Sequence, residues 1–125
     1  MCHVFRYRKK YYSMKDVIRM FSVKKDHILG TALSLNLYNK LVYIAGEKKI
    51  SISEMIMLSV AMQLSRPGVE IQKKDKTPEQ KKVITARVSE GLAKMVDDAA
   101  KELGCSKSRY ISVALNEGLN YVNLR

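Results

Sequence analysis

The sequence predicts a mainly helical fold built around a repeated unit, and three observations carry that prediction. Apolar residues recur at helical spacing along most of the chain, and only two prolines interrupt its 125 residues. Two short stretches switch to alternation, the pattern of a half-buried strand. In Val83–Val88, Ile84, Ala86 and Val88 share one face while Val83, Thr85 and Arg87 share the other; in 28–36, Leu29, Thr31, Leu33 and Leu35 line one side. Finally, pairing each residue with the one 55 positions later aligns Leu37, Leu41, Ile44 and Ala45 with Leu92, Val96, Ala99 and Ala100, and Ser51, Ser53, Ile56 and Leu64 with Ser106, Ser108, Ile111 and Leu119. Strand, helix, turn, helix therefore occurs twice in the same order.

Residues 1–27 stand outside the repeat. They hold eight basic residues against two acidic ones. "HVFRYRKKYY" interleaves Arg6, Arg8, Lys9 and Lys10 with aromatics and suits an extra strand or a phosphate-following arm. Ser13 reads as a helix cap, and Met14, Val17, Ile18 and Phe21 at i, i+3, i+4 and i+7 predict a short amphipathic helix whose apolar face packs on the core.

The first copy covers 28–65. Ser51-x-x-Glu54 is a capping box for its second helix, which carries Ile56, Leu58, Val60, Met62 and Leu64. Arg66-Pro67-Gly68 ends that helix, and the polar residues 66–82, which include both prolines, read as a linker. The second copy covers 83–125. Ser89-Glu90 opens its first helix, which runs to Leu103 and closes at Gly104, where glycine takes the left-handed conformation. Ser106 or Ser108 opens the next helix, with Ile111, Leu115, Leu119 and Val122 at helical spacing.

Charge narrows the function. Lys and Arg number 23 against 12 Asp and Glu, a net charge of +11, and the pI is near 9.7. A surplus that size on a small domain points to a polyanionic partner. Apolar runs fall short of the roughly 18 residues a membrane span needs, and the N-terminus lacks the apolar core of a signal peptide. A cytoplasmic, DNA-associated location is therefore expected, with no membrane partner. Cys2 and Cys105 make no disulfide framework, and Cys2-His3 has no second pair at metal-ligand spacing. His27 reads as solvated or hydrogen-bonded. With neither a Gly-rich phosphate loop nor a Ser/His/Asp set, the chain does not read as an enzyme and needs no cofactor.

"VITARVSEGLAKMVDDAAKELGCSKSRYISVALNEGL" resembles the ribbon-helix-helix regulators of the Arc, MetJ and CopG type. The likeness covers about 40 residues of the second copy. The first copy is less similar: "EKKIS" stands where the second has "ELGCS", and its strand lacks a basic residue. The resemblance implies a mainly α fold with a short two-stranded antiparallel β ribbon, in which the ribbon enters the major groove of double-stranded DNA and regulates transcription. It implies base reading by Thr85 and Arg87, with Val83 as the third outward position, and phosphate contacts around Ser106, Lys107 and Ser108. Lys81 and Lys82 at the strand entry, and Arg6, Arg8, Lys9 and Lys10, join the phosphate-contacting set. The chemistry fits: arginine bonds guanine O6 and N7 together, and threonine can touch a thymine methyl.

A lone motif of this size buries too little apolar surface to stand alone. The expectation is therefore an intramolecular pseudo-dimer of tandem motifs, strand 29–35 pairing with strand 83–88 across a linker able to reach roughly 55 Å. Pairing between chains is the alternative, and further association on DNA is left open. The first strand offers Gly30, Ala32 and Ser34 outward, of which only Ser34 brings polar chemistry, so the second copy is expected to do most of the reading. The layout also resembles fused regulators from archaeal viruses. Two other functions compete: an antitoxin-like protein whose extension captures a partner, and a non-specific RNA or single-strand binder.

Overall fold

The computed structural model describes residues 5–8, 12–22, 24–66, 69–72 and 81–123. It is mainly helical with a two-stranded antiparallel sheet at its centre. The elements are β1 (Phe5–Arg8), α1 (Met14–Arg19) continued by a 3-10 turn (Met20–Ser22), β2 (His27–Ser34), α2 (Leu35–Lys48), α3 (Ile52–Leu64), β3 (Val69–Gln72), β4 (Lys81–Val88), α4 (Glu90–Leu103) and α5 (Lys107–Asn123). The strand–helix–helix order thus recurs as β2-α2-α3 and β4-α4-α5.

The two alternating strands pair with each other inside the chain. β2 and β4 run antiparallel, from His27 opposite Val88 to Ser34 opposite Lys81. Alternation dictates the burial: Leu29, Thr31 and Leu33 of β2, and Ile84, Ala86 and Val88 of β4, face the core. The register also matches the repeat. Gly30 stands opposite Thr85, its own counterpart 55 positions on, and around that pair the offset exchanges His27–Val88 with Leu33–Lys82, Ile28–Arg87 with Ala32–Val83, and Leu29–Ala86 with Thr31–Ile84.

Both strands hand over to helices through the same device. Ser34 and Ser89 each accept a backbone N–H three residues on, from Leu37 at 3.2 Å and from Leu92 at 3.2 Å. The first helices end alike as well. Gly104 adopts φ 71° and Lys49, its counterpart, φ 56°, and the next amide returns to Ala100 and Ala45 respectively. A lysine there carries a left-handed strain of roughly 1–2 kcal/mol that glycine avoids. Glycine's greater unfolded-state freedom returns part of that gain. Lys49→Gly should therefore raise stability by about 0.5–1 kcal/mol, seen as a higher urea midpoint; an unchanged or lower midpoint would contradict the strain.

The second helices form the interior. Ile56, Val60 and Leu64 of α3 and Ile111, Leu115 and Leu119 of α5 are fully buried. The apolar residues of α3 divide between core and surface: Leu58 is 44% exposed and Met62 half-buried, while Met57 and Ala61 are buried. Helical winding advances the core stripe by 3.6 residues, so it falls on 56/57, 60/61 and 64. Helices α3 and α5 meet closely at Gly118, where a Cβ would lie 2.5 Å from Ser59 Oγ. Arg66 also donates to Glu117 at 2.5 Å from the end of α3.

The extension docks on this body through part of its expected apolar face, Ile18 of that face being 51% exposed. Ser13 caps α1 by accepting from Asp16 N at 3.1 Å, Val17 is fully buried, and Met20 and Phe21 pack against the core. The segment read as a linker is more than that: Val69–Gln72 forms β3, which pairs antiparallel with β1. Val69-Glu70-Ile71-Gln72 alternates as a short strand does, and β1 supplies the hydrogen-bonding edge it needs.

Candidate nucleic-acid interface

Burying one face of β2–β4 leaves the other to solvent, and the register decides which side chains share it. Arg87 lies opposite Ile28, Thr85 opposite Gly30, Val83 opposite Ala32 and Lys81 opposite Ser34. Val83, Thr85, Arg87 and Lys81 are exposed, as the alternation predicts. Among the described residues no carboxylate pairs with Arg87, so its guanidinium presents its donors to solvent.

Two residues change standing. Ile28 was not among the outward residues drawn from the sequence, yet it is 65% exposed, close to Val83 at 69%. The repeat could have found it, because Ile28, Gly30 and Ala32 are the counterparts of Val83, Thr85 and Arg87. Ser34 is instead the counterpart of Ser89, and its hydroxyl is engaged in capping α2. Its place at the ribbon end is as expected, but its polar chemistry is turned to the helix.

The expected phosphate contacts divide in the same way. Ser106 accepts from Arg109 N at 3.0 Å and begins α5, with Lys107 exposed beside it. Ser108 is half-buried. Its hydroxyl lies 3.0 Å from Thr31 Oγ1 and accepts from Ala32 N at 3.3 Å, while Thr31 donates to the Ser108 carbonyl at 2.8 Å. Ser108 thus holds the start of α5 against β2, and Thr31 is buried at no polar cost because its hydroxyl is satisfied. The sequence could not show this contact, which joins positions 77 residues apart.

Lys82, expected among the phosphate contacts, stands on the opposite side of β4 from Lys81, Val83, Thr85 and Arg87. Its Nζ sits 5.7 Å from the centroid of the Tyr38 ring, towards α2. Arg6 and Arg8 belong to β1, paired with Ile71 and Val69, while Lys9, Lys10, Cys2 and His3 lie outside the described residues. His27 Nδ1 is 2.9 Å from Asp26 Oδ1 at the surface. Burial pushes the Cys105 thiol above its ordinary value, with the Arg109 charge opposing, which leaves it a weak nucleophile.

The helix-two starts differ in charge. α3 begins with a full capping box in which Glu54 N donates to Ser51 Oγ at 3.1 Å and Glu54 Oε1 accepts from Ser51 N at 3.4 Å. A carboxylate therefore occupies that terminus, whereas α5 starts with Lys107 and Arg109. Among the described residues, no helix is long and apolar enough to cross a membrane. No protein-family model, curated protein or solved structure matches the chain.

Proposed function

We propose that this protein is a sequence-specific regulator of transcription that binds double-stranded DNA by laying the β2–β4 ribbon in the major groove. The observation that carries this reading is the outward face of the ribbon, where Thr85 and Arg87 stand exposed with Val83 and Ile28 while the opposite face is sealed into the core. A two-stranded ribbon fits the major groove, and these side chains match base edges there. The net charge of +11 supplies the long-range attraction to phosphate. It acts by binding and not by catalysis, inside the cell.

The two motifs work as one intramolecular pseudo-dimer of the ribbon-helix-helix type. The self-consistent register and the matching serine caps support that assembly. α1 uses Val17 and Phe21 within the chain, which favours DNA binding over capture of a partner by the extension. The phosphate-contacting set is Lys81, Lys107 and the α5 start, with Arg6, Arg8, Lys9 and Lys10 of the extension added.

Competition tests the reading. A labelled mixed-sequence duplex bound by the full chain should be displaced at least ten times more readily by unlabelled duplex than by either strand alone, with affinity falling steeply as salt rises. Equal competition by single-stranded DNA or RNA would replace the ribbon reading with a single-strand one.

A further inference from the structure

Resting on the DNA-binding reading, we infer that the protein recognises a site without two-fold symmetry, bound in one orientation, and that Ile28 is a specificity-determining residue. The argument begins with the register. In a ribbon made of identical strands, its two ends would present the same side chains. Here the offset of 55 relates Ile28 to Val83, Gly30 to Thr85 and Ala32 to Arg87. One end therefore joins Ile28 and Arg87, and the other joins Ala32 and Val83.

These ends ask for different bases. Arg87 offers the fork that bonds guanine O6 and N7, and nothing at Ala32 can replace it. Ile28 and Val83, at 65% and 69% exposure, are large apolar groups held in water by a folded scaffold. In the major groove the apolar feature available to them is the thymine methyl. One half of the site thus contains a G·C pair with a neighbouring thymine, and the other half is read through thymine methyls alone.

The helix starts add a second, independent inequality. Glu54 occupies the N-terminus of α3 and would repel a phosphate, whereas Lys107 at the start of α5 would attract one. Backbone anchoring and base reading are both lopsided, so the DNA cannot be turned around without loss.

Selection of duplexes from a random pool by the full wild-type chain tests this. The expected motif lacks a dyad, with a fixed G·C pair in one half and A·T pairs in the other. Ala32→Arg installs an arginine at the position related to Arg87. It should convert the selected motif to a palindrome with G·C in both halves, bound about ten-fold more tightly than by wild type. Replacing thymine by deoxyuridine in the wild-type motif removes only methyl groups. At the thymine beside the G·C pair it should weaken wild-type binding about four-fold and leave Ile28→Ala unaffected. That arm holds even if Ala32→Arg does not fold. A palindromic wild-type motif, or equal deoxyuridine effects on wild type and Ile28→Ala, overturns the inference and leaves DNA binding standing. Enrichment of no duplex at all overturns the DNA-binding reading itself.

Discussion

Replacing Arg87 with alanine is expected to leave the protein folded and to lower discrimination at one base pair by about 1–3 kcal/mol. The fold should survive because Arg87 is exposed and its neighbours Ala86 and Val88 supply the buried face of the strand. Among the described residues it has no carboxylate partner whose loss would strand a charge. The two possible roles of the residue separate cleanly. If it served only as one cation among 23, its removal would weaken all duplexes alike and reduce the salt dependence by about one charge. A bidentate contact to guanine would be lost from one sequence position and leave the rest of the site as it was. Titration of both proteins against duplexes substituted one pair at a time distinguishes the outcomes. An unchanged ranking of those duplexes would remove the outward face of β4 from base reading. Lys107→Ala is the matched control, since losing a phosphate contact should lower affinity uniformly.

Much of this candidate interface was legible in the sequence because strands and helices announce themselves by period. Thr85 and Arg87 follow from alternation alone, since Ile84, Ala86 and Val88 must share the buried side. The pairing partner was legible too, because only one other stretch alternates over a comparable length. What escaped was the boundary between periods. Ser34 continues the alternation of β2 and was counted with its face, yet helix α2 begins at Leu35 and recruits that hydroxyl. Leu58 is apolar yet falls off the core stripe of α3, because a helix returns to one face every 3.6 residues.

Long-range closure was the other loss. The four residues of β3 form a strand because β1, more than 60 positions earlier, provides its edge. Neither segment has a local signal strong enough to outweigh its charged surroundings. The Thr31–Ser108 link is similar: a threonine on an apolar face looks like a concession until its partner arrives from another helix. Helical spacing and capping are encoded over a few residues, whereas these contacts exist only once the chain has folded.

Leu33→Ala should be among the costliest single changes to the fold, at about 2–5 kcal/mol. Leu33 is 1% exposed and lies on the buried side of β2, with the hydrogen-bonded Thr31 two residues before it and the cap of α2 immediately after. Truncation removes apolar surface and leaves a cavity that strand and helices cannot close without shifting the ribbon register. Against a typical total of 5–15 kcal/mol, that loss would bring the variant close to unfolding at moderate temperature. The same urea experiment tests where the ribbon pairs. Because β2 and β4 belong to one chain, the midpoints of wild type and variant should not move when protein concentration is raised a hundred-fold. If pairing were between chains, dilution would lower both midpoints, since dissociation would then accompany unfolding. A concentration-dependent midpoint would therefore dismiss the intramolecular pseudo-dimer, while a loss under 1 kcal/mol would show that Leu33 is not the wedge its burial makes it.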